Sequence, residues 1–432
     1  MVNVMKLELK RITDTSLFKT ASIYTFSHLL NKAIPFLLLP ILTRYLSAED
    51  YGIVSMFGVV VAILISFVGL NTHGAVARNY FDKSKENMKT YVTSTISILI
   101  FSISLISLIF IIGGRFIASL TSLPLIMLWV ALIISIAQFV NSLTLVLWQV
   151  QRKATQYGLF NFAKSLMDVS LSIVLIVGMG FAWRGRIYAQ LIASIVFLLV
   201  SIVLLRKNNW IGNKVKRDDL SDAFKFGLPL IPHIVGGILI TMIDRFFITN
   251  YSGIAETGIY TVGYQVGAVI NVFATSFNQA FSPWLYSKLK LDSVSIKIKI
   301  VKMTYIYFVA IIIMAIILTI AANILLPFIV GKQFQSSNIY VFWIALGYAF
   351  HGMYFMIVNY LFYIKKTNFI GLITLILAIL NIVLNMIMVP IYGALGAAYA
   401  TTIAYLLQFI LVWILSARLY PMPWNPISLL KK

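Results

Sequence analysis

No cysteine occurs in the 432 residues, which excludes a disulfide framework, a thiolate metal site and a cysteine nucleophile. Charge is nearly as scarce. Only 11% of the residues are Asp, Glu, Lys or Arg, against about 25% in an ordinary soluble domain. A chain so short of charge cannot clothe a water-solvated fold. Acidic residues are scarcest, 13 against 34 basic ones. The four histidines show no ligand spacing such as H-E-x-x-H, so metal chemistry has no support and no cofactor is implied. Low-complexity segments are missing too, and no polar stretch is long enough for a separate soluble domain.

What fills the chain is apolar: 60% of residues are hydrophobic and the mean hydropathy is +0.94. A helix rising 1.5 Å per residue needs about twenty apolar residues to cross a bilayer core of roughly 30 Å. That ruler finds twelve spans. Six lie in the first half, at Thr20–Thr43, Tyr51–Asn71, Tyr91–Gly113, Leu123–Leu147, Gly158–Gly180 and Ile187–Leu205. Six lie in the second, at Ala223–Thr249, Gly258–Trp284, Met303–Leu326, Ile339–Ile364, Phe369–Val389 and Gly396–Ala417. The basic N-terminus has no small-residue cleavage site after its first apolar run, so that run reads as a retained span.

The net charge of +21 admits a nucleic-acid reading, which the distribution of the basic residues excludes. With the N-terminus inside, 26 of the 34 Lys and Arg fall on inner segments, five on outer loops and three within spans. This loop-by-loop alternation is the positive-inside pattern. It predicts an inner-membrane protein with both termini cytoplasmic and anionic lipids as neighbours.

The chain also echoes itself. Gly185, Tyr188, Ala189, Ile192 and Ala193 obey G-x-x-Y-A-x-x-I-A, as do Gly396, Tyr399, Ala400, Ile403 and Ala404, and each run opens the sixth span of a half. Thr43, Tyr45, Ala48, Glu49, Gly52 and Ile53 are echoed by Thr249, Tyr251, Ala255, Glu256, Gly258 and Ile259. Lys153, Thr155 and Tyr157 are echoed by Lys365, Thr367 and Phe369. Six spans per copy make the repeats parallel, as in one class of transporters with a substrate cavity between two lobes. The expected fold is thus all-α, with an N-terminal lobe over 1–210 and a C-terminal lobe over 211–432.

Polar side chains inside a bilayer are costly and usually face a cavity or a partner. His28, Asn31, Lys32 and Pro35 share one face of the first span. Lys32 either lines a path for an anion or snorkels along its stem, and its depth near the midplane favours the first. The seventh span carries His233, Thr241 and Asp244 in one stripe, plus Arg245. Arg245 reads equally as ligand and as interfacial anchor. Asp244 and Arg245, about 100° apart on a helix, are expected to need separate partners. Lys164 and Asp168 have the i, i+4 spacing of a local ion pair, with Asp168 as a proton or sodium site the alternative. Gln138, Asn141 and Ser142, then Asn271, Thr275 and Asn278, then Asn381 and Asn385, read as interhelical hydrogen-bonding stripes.

Several short motifs resemble those of the Wzx-type polysaccharide flippases, a family of the superfamily that also holds the MATE exporters. Arg44, Leu46, Tyr51 and Gly52 resemble its R-x-L-x-x-x-x-Y-G. Gly69, Leu70, Ala75, Arg78, Tyr80 and Phe81 resemble its G-L-x…A-x-x-R-x-Y-F. Asp244, Arg245, Gly258 and Tyr260 resemble D-R…G-x-Y, and Phe277, Ala280, Phe281, Pro283 and Trp284 resemble F-x-x-A-F-x-P-W. The resemblance spans the chain. It implies a MATE-like two-lobe bundle with a central cavity. Its implied activity is to flip an undecaprenyl-pyrophosphate-linked oligosaccharide (an O-antigen, capsule or exopolysaccharide unit) from the inner to the outer leaflet. Polysaccharide polymerase and chain-length machinery are the protein partners it implies. Arg78 and Arg245 carry over by motif as substrate contacts, although Arg78 reads equally as an anchor of the second helix. Lys32, His28, Asn31 and His233 join them by depth and periodicity, with Asp168 and Asp244 as candidate coupling sites. A drug or cation antiporter and a lipid II flippase share the architecture. A membrane glycosyltransferase, an enzyme, would need a larger outer loop than Arg44–Asp50.

Overall fold

The structure, a computed structural model, describes residue 34 and residues 36–425, and the described chain is helical throughout. Ten helical stretches are long and apolar enough to cross a membrane. They correspond to the second to seventh and ninth to twelfth spans expected from the sequence. Of the first span, the described part is a short apolar helix, α1 (Phe36–Tyr45). The eighth is broken in two, α10 (Ile254–Gly267) and α11 (Val269–Leu289). The remaining helices are α2 (Ala48–Phe67), α3 (Thr72–Asn79), α4 (Lys85–Thr121), α5 (Leu125–Val150), α6 (Ala154–Ile173), α7 (Ala182–Lys207), α8 (Arg217–Gly227) and α9 (Ile231–Ser252). The last four are α12 (Val294–Ile329), α13 (Asn338–Tyr363), α14 (Thr367–Tyr392) and α15 (Ala394–Leu419).

Length and burial run in step through the two sets of six. The third spans are the longest single helices, α4 with 37 residues and α12 with 36. Both leave long apolar side chains uncovered, among them Ile111, Ile112 and Phe116 on α4 and Ile306, Ile324 and Phe328 on α12. Water would not tolerate such a surface, whereas lipid is its natural solvent. The fourth spans are the most buried: the most apolar windows of Leu125–Val150 and Lys332–Tyr363 are each 67% covered. Each is therefore a central post around which neighbours pack.

Two compact units emerge. The first holds Val60–Ser119 and Leu123–Pro232, and the second holds Leu46–Val59, Leu120–Ser122 and His233–Lys432. The amphipathic α8 lies with the first unit, where Asn79 Nδ2 donates to Asp222 Oδ2 at 2.9 Å and Lys83 pairs with Asp219 at 2.8 Å.

The second span ends in a break that its Gly69-Leu70 motif creates. Gly69, Leu70 and Asn71 all have positive φ. A Cβ on Gly69 would lie 2.1 Å from the Phe139 ring, so glycine serves both conformation and packing there.

Within the second unit the start of α2 crosses α10 through glycines. A Cβ on Gly52 would sit 1.9 Å from the Ile254 carbonyl oxygen, and one on Gly258 would sit 2.0 Å from the Ala48 carbonyl oxygen. Beside them the Ser55 and Thr261 hydroxyls are 2.7 Å apart. Gly52 and Gly258, Ala48 and Ile254, and Ser55 and Thr261 are each 206 positions apart in the chain. The sequence echo is thus also a reciprocal contact. Gly185 and Gly396 repeat a second role, each pressed on the backbone near the end of the preceding span, at Leu175–Ile176 and Met388–Val389 respectively.

Candidate functional site

Small residues place the buried charges of the second unit. Gly253, at φ +94°, is the single residue joining α9 to α10, and the Thr249 and Thr257 hydroxyls bond across that turn at 2.8 Å. Gly263 and Gly267 let α10 press against α13 at Tyr340 and Ile344. The hairpin brings Tyr260 onto Asp244, its hydroxyl donating to Oδ2 at 2.5 Å. The D-R…G-x-Y pattern therefore closes on itself.

Asp244 and Arg245 are 1% and 6% exposed. They do not take separate partners, as helical geometry had suggested. Arg245 Nη1 folds back to donate to Asp244 Oδ1 at 3.1 Å and to the Thr241 carbonyl at 2.9 Å. The Arg245 backbone N–H also donates to Oδ1, at 2.8 Å. The arginine stem is long enough to curl along its own helix, so the pair closes without a neighbour. Its guanidinium carbon lies 4.4 Å from the Tyr264 ring centroid, a cation–π contact. Nε and Nη2 donate to none of the described residues. The Tyr264 and Tyr348 hydroxyls then meet at 2.5 Å. Tyr348 packs on Tyr405, Tyr405 on His351, and His351 Nδ1 lies 3.0 Å from Gln408 Oε1. The result is a buried aromatic and polar file ending in a guanidinium with spare donors. A guanidinium fork in low dielectric suits a phosphate or carboxylate oxygen pair.

In the first unit, Asp168 is paired, but not with Lys164. Arg186 Nη1 and Nη2 take its two oxygens at 2.6 and 3.1 Å, and Nη1 also reaches Ser172 Oγ at 3.0 Å. Arg186 lies in the early turns of α7, facing α6 across a short connection. The planar fork fits a carboxylate bidentately, which an ammonium cannot. Asp168 borders a cavity of about 300 Å³ among α5, α6 and α7, whose lining also includes Gln138, Asn141, Lys164 and Gln190.

Arg78 is exposed, its guanidinium 5.9 Å from the Phe226 ring centroid. It borders a different cluster, in which Asp222 Oδ2 accepts from Tyr91 at 2.7 Å and from Asn79 at 2.9 Å. Lys32, His28 and Asn31 lie outside the described residues. His233 is on α9, and its side chain is not among those described. Two of the polar stripes do bond between helices. Ser201 donates to Asn141 Oδ1 at 2.8 Å, and Asn359 Nδ2 donates to Asn278 Oδ1 at 2.8 Å.

Sequence reasoning missed Arg186 and the tyrosine file. For Arg186 a signal existed, since a carboxylate within the α6 span needs a cation and the next helix supplies one beside the G-x-x-Y-A glycine. No periodicity marks the tyrosines, because they come from separate helices.

A family described as polysaccharide biosynthesis protein matches residues 17–289. The capsular polysaccharide biosynthesis protein CapF of Staphylococcus aureus is 22% identical over 407 residues, 91% of this chain and 98% of that protein. Among solved structures, the lipid II flippase MurJ in an inward closed conformation is similar with a TM-score of 0.70 at 18% identity, covering 96% of this chain and 95% of that one. An inward-facing multidrug resistance MATE family transporter is similar with a TM-score of 0.66 at 16% identity, covering 93% and 96%. At such identities the structural likeness establishes a shared fold.

Proposed function

The chain belongs to the polysaccharide biosynthesis protein family, and from that premise we propose that it is a transporter of a lipid-linked glycan. In this reading it moves an undecaprenyl-pyrophosphate-linked repeat unit from the inner to the outer leaflet of a bacterial inner membrane. The six-span lobes (1–210 and 211–432) alternate access, and both termini are cytoplasmic. The Staphylococcus relative named for capsular polysaccharide supports the substrate class, and the fold shared with a lipid II flippase and a MATE transporter supports transport rather than catalysis.

The observation that carries the reading is Arg245. A pyrophosphate cannot cross hydrocarbon unaided, and bringing charge to mid-membrane costs several kcal/mol. A buried cation with unspent donors lowers that cost. Asp244 and Tyr260 hold it in place, Lys32 supplies a second charge along the path, and His28, Asn31 and His233 give polar support. Arg78 receives the substrate at the inner surface. Asp168 and Asp244 are the acidic groups available to couple an ion gradient.

The test is complementation of a host lacking its own flippase. Lys32→Ala should abolish surface polysaccharide while protein in the membrane stays at the parent level, and Arg245→Ala, which leaves Asp244 unpaired, should lower it by more than any fall in the amount of protein in the membrane, with lipid-linked units accumulating on the inner leaflet in both. Arg245→Lys should keep part of the activity. Normal polymer from either alanine variant would overturn the role, and drug hypersensitivity of the deletion strain with intact polymer would point to an antiporter.

A further inference from the structure

At one end of the first unit, three separate connections build the wall of a cavity of about 500 Å³. Lys83 comes from the link between α3 and α4, Lys153 from that between α5 and α6, and Trp210 from that between α7 and α8. Tyr80 and Lys85, the first residue of α4, also line it. The links follow the second, fourth and sixth spans, so they share one side of the membrane. The distribution of basic residues makes it the inner side. Local geometry fixes two of them. Arg152 and Asn209 have positive φ, and the next residue in each closes the helix end. Lys153 N–H donates to the Trp148 carbonyl at 2.8 Å, and Trp210 N–H to the Leu205 carbonyl at 2.9 Å, both as in a Schellman turn.

The wall holds three lysines and no carboxylate. Lys83 is spent, its Nζ 2.8 Å from Asp219 and 4.9 Å from the Tyr91 ring centroid. The Lys85 and Lys153 ammoniums make no hydrogen bond or ion pair among the described residues. Asp82 and Glu86, close by in the chain, are exposed, lie outside the lining and pair with neither. Asp222 of α8 is taken by Tyr91 and Asn79. Two positive charges therefore line the cavity unmatched. The polar bonding has a gap in the same place. The α7–α8 link is tied to α4, the Gly212 N–H donating to Thr93 Oγ1 at 2.9 Å. No hydrogen bond or ion pair joins residues 151–153 to either of the other links among the described residues. An anion between Lys85 and Lys153 would bridge that gap.

Depth identifies the source of the anion. Trp and Tyr collect at headgroup level, and the Trp210 and Tyr80 rings lie 6.1 Å apart on this wall. Phe81, 76% exposed, packs edge-on against Tyr80. A bare ring beside a basic cavity at the ends of spans suits lipid better than water. Basic pockets at this level take anionic headgroups, and the volume lies within the range of about 300–1,000 Å³ for small-molecule sites.

We infer that this cavity binds the headgroup of an anionic phospholipid, its phosphodiester bridging Lys85 Nζ and Lys153 Nζ beside Tyr80 and Phe81. The site does not depend on the transport reading.

The full chain is placed in nanodiscs of phosphatidylcholine with a rising fraction of phosphatidylglycerol, and its melting temperature is followed. The parent should melt higher as phosphatidylglycerol increases. The half-saturating fraction should rise about fivefold in Lys85→Gln and in Lys153→Gln, and the double variant should lose the response. Lys85→Arg/Lys153→Arg should keep it. Lys365→Gln/Lys366→Gln removes the same charge from an exposed connection of the second unit and should respond as the parent does. In phosphatidylcholine alone every variant should melt with the parent, because neither ammonium has a protein partner to lose.

No response in the parent refutes the inference. An equal loss in the Lys365→Gln/Lys366→Gln variant reduces the response to overall surface charge and overturns the site. A lower melt of either single variant in phosphatidylcholine alone overturns it too, by giving that lysine a partner within the protein. If inorganic phosphate reproduces the response in phosphatidylcholine discs, the ligand is a free phosphate. If undecaprenyl pyrophosphate displaces phosphatidylglycerol at equimolar amounts, the ligand is the glycan carrier. Either result refutes the phospholipid assignment.

Discussion

The glycine crossing of α2 and α10 provides a stringent perturbation. In Gly52→Ala the new Cβ would sit 1.9 Å from the Ile254 carbonyl oxygen, and in Gly258→Ala 2.0 Å from the Ala48 carbonyl oxygen. Real Cβ contacts essentially never fall below 3.0 Å, so each substitution demands that the helices part by about 1 Å. The blocking atom is backbone, and no rotamer change relieves it. Overpacking of this kind costs about 1–3 kcal/mol, and the upper end applies where nothing soft can yield. Alanine returns about 1 kcal/mol of helix propensity over glycine, leaving a net loss of about 2 kcal/mol per variant. At about 1 °C per kcal/mol for a chain of 432 residues, the purified full chain should melt about 2 °C lower. Gly52→Ala/Gly258→Ala should lose less than the sum, because one separation accommodates both methyls. Gly58→Ala, on the same helix with nothing within 4 Å of its Cβ, should melt at or above the parent temperature. The reasoning is refuted if both crossing variants melt with the parent, or if Gly58→Ala falls as far.

Three further outcomes are expected. Arg186→Leu removes the cation from the half-buried Asp168 carboxylate and should destabilise the chain by about 1–3 kcal/mol, with Asp168→Asn added to it restoring most of the loss. A melt no lower than that of Lys164→Leu would sink the pairing. Tyr260→Phe removes the hydroxyl that holds Asp244 and should cost about 1.5–3 kcal/mol as a bond to a charged group. An unchanged melting curve would show that bond to be idle. A reporter fused behind Lys432 should signal in the cytoplasm, and a signal confined to the periplasm would refute an even number of crossings.

Much of the helical layout was legible in the sequence because lipid imposes a long apolar run on every crossing, and breaks in such runs are easy to see. The spans from Tyr91–Gly113 to Ile187–Leu205 reappear as α4 to α7, with ends shifted by up to eight residues. The eighth span misled. Its apolar run continues through Ala268, where the helix breaks after two glycines that let α10 meet α13. The echo of Gly52 in Gly258 was visible as a spacing, but only the fold shows the two glycines touching.

The candidate site was legible in its residue types and not in its pairings. A charge inside a span announces that it needs a partner, and Asp168, Asp244 and Arg245 were found that way. Spacing along one helix proposed Lys164 for Asp168 and separate partners for Asp244 and Arg245, and both proposals gave way to side-chain reach. Arg186 crosses from the next helix with a better-shaped fork, and Arg245 curls back on its own.

Composition and periodicity by themselves determined that the chain lives in lipid and where most of its long apolar helices lie. Those properties follow from transfer energies and helical rise, which depend on each segment alone. Which donor meets which acceptor was decided only by tertiary structure. A hydrogen bond is settled within a fraction of an ångström by the packing of helices distant in sequence, as where Tyr348 meets Tyr264 and Ser201 meets the Asn141 amide oxygen.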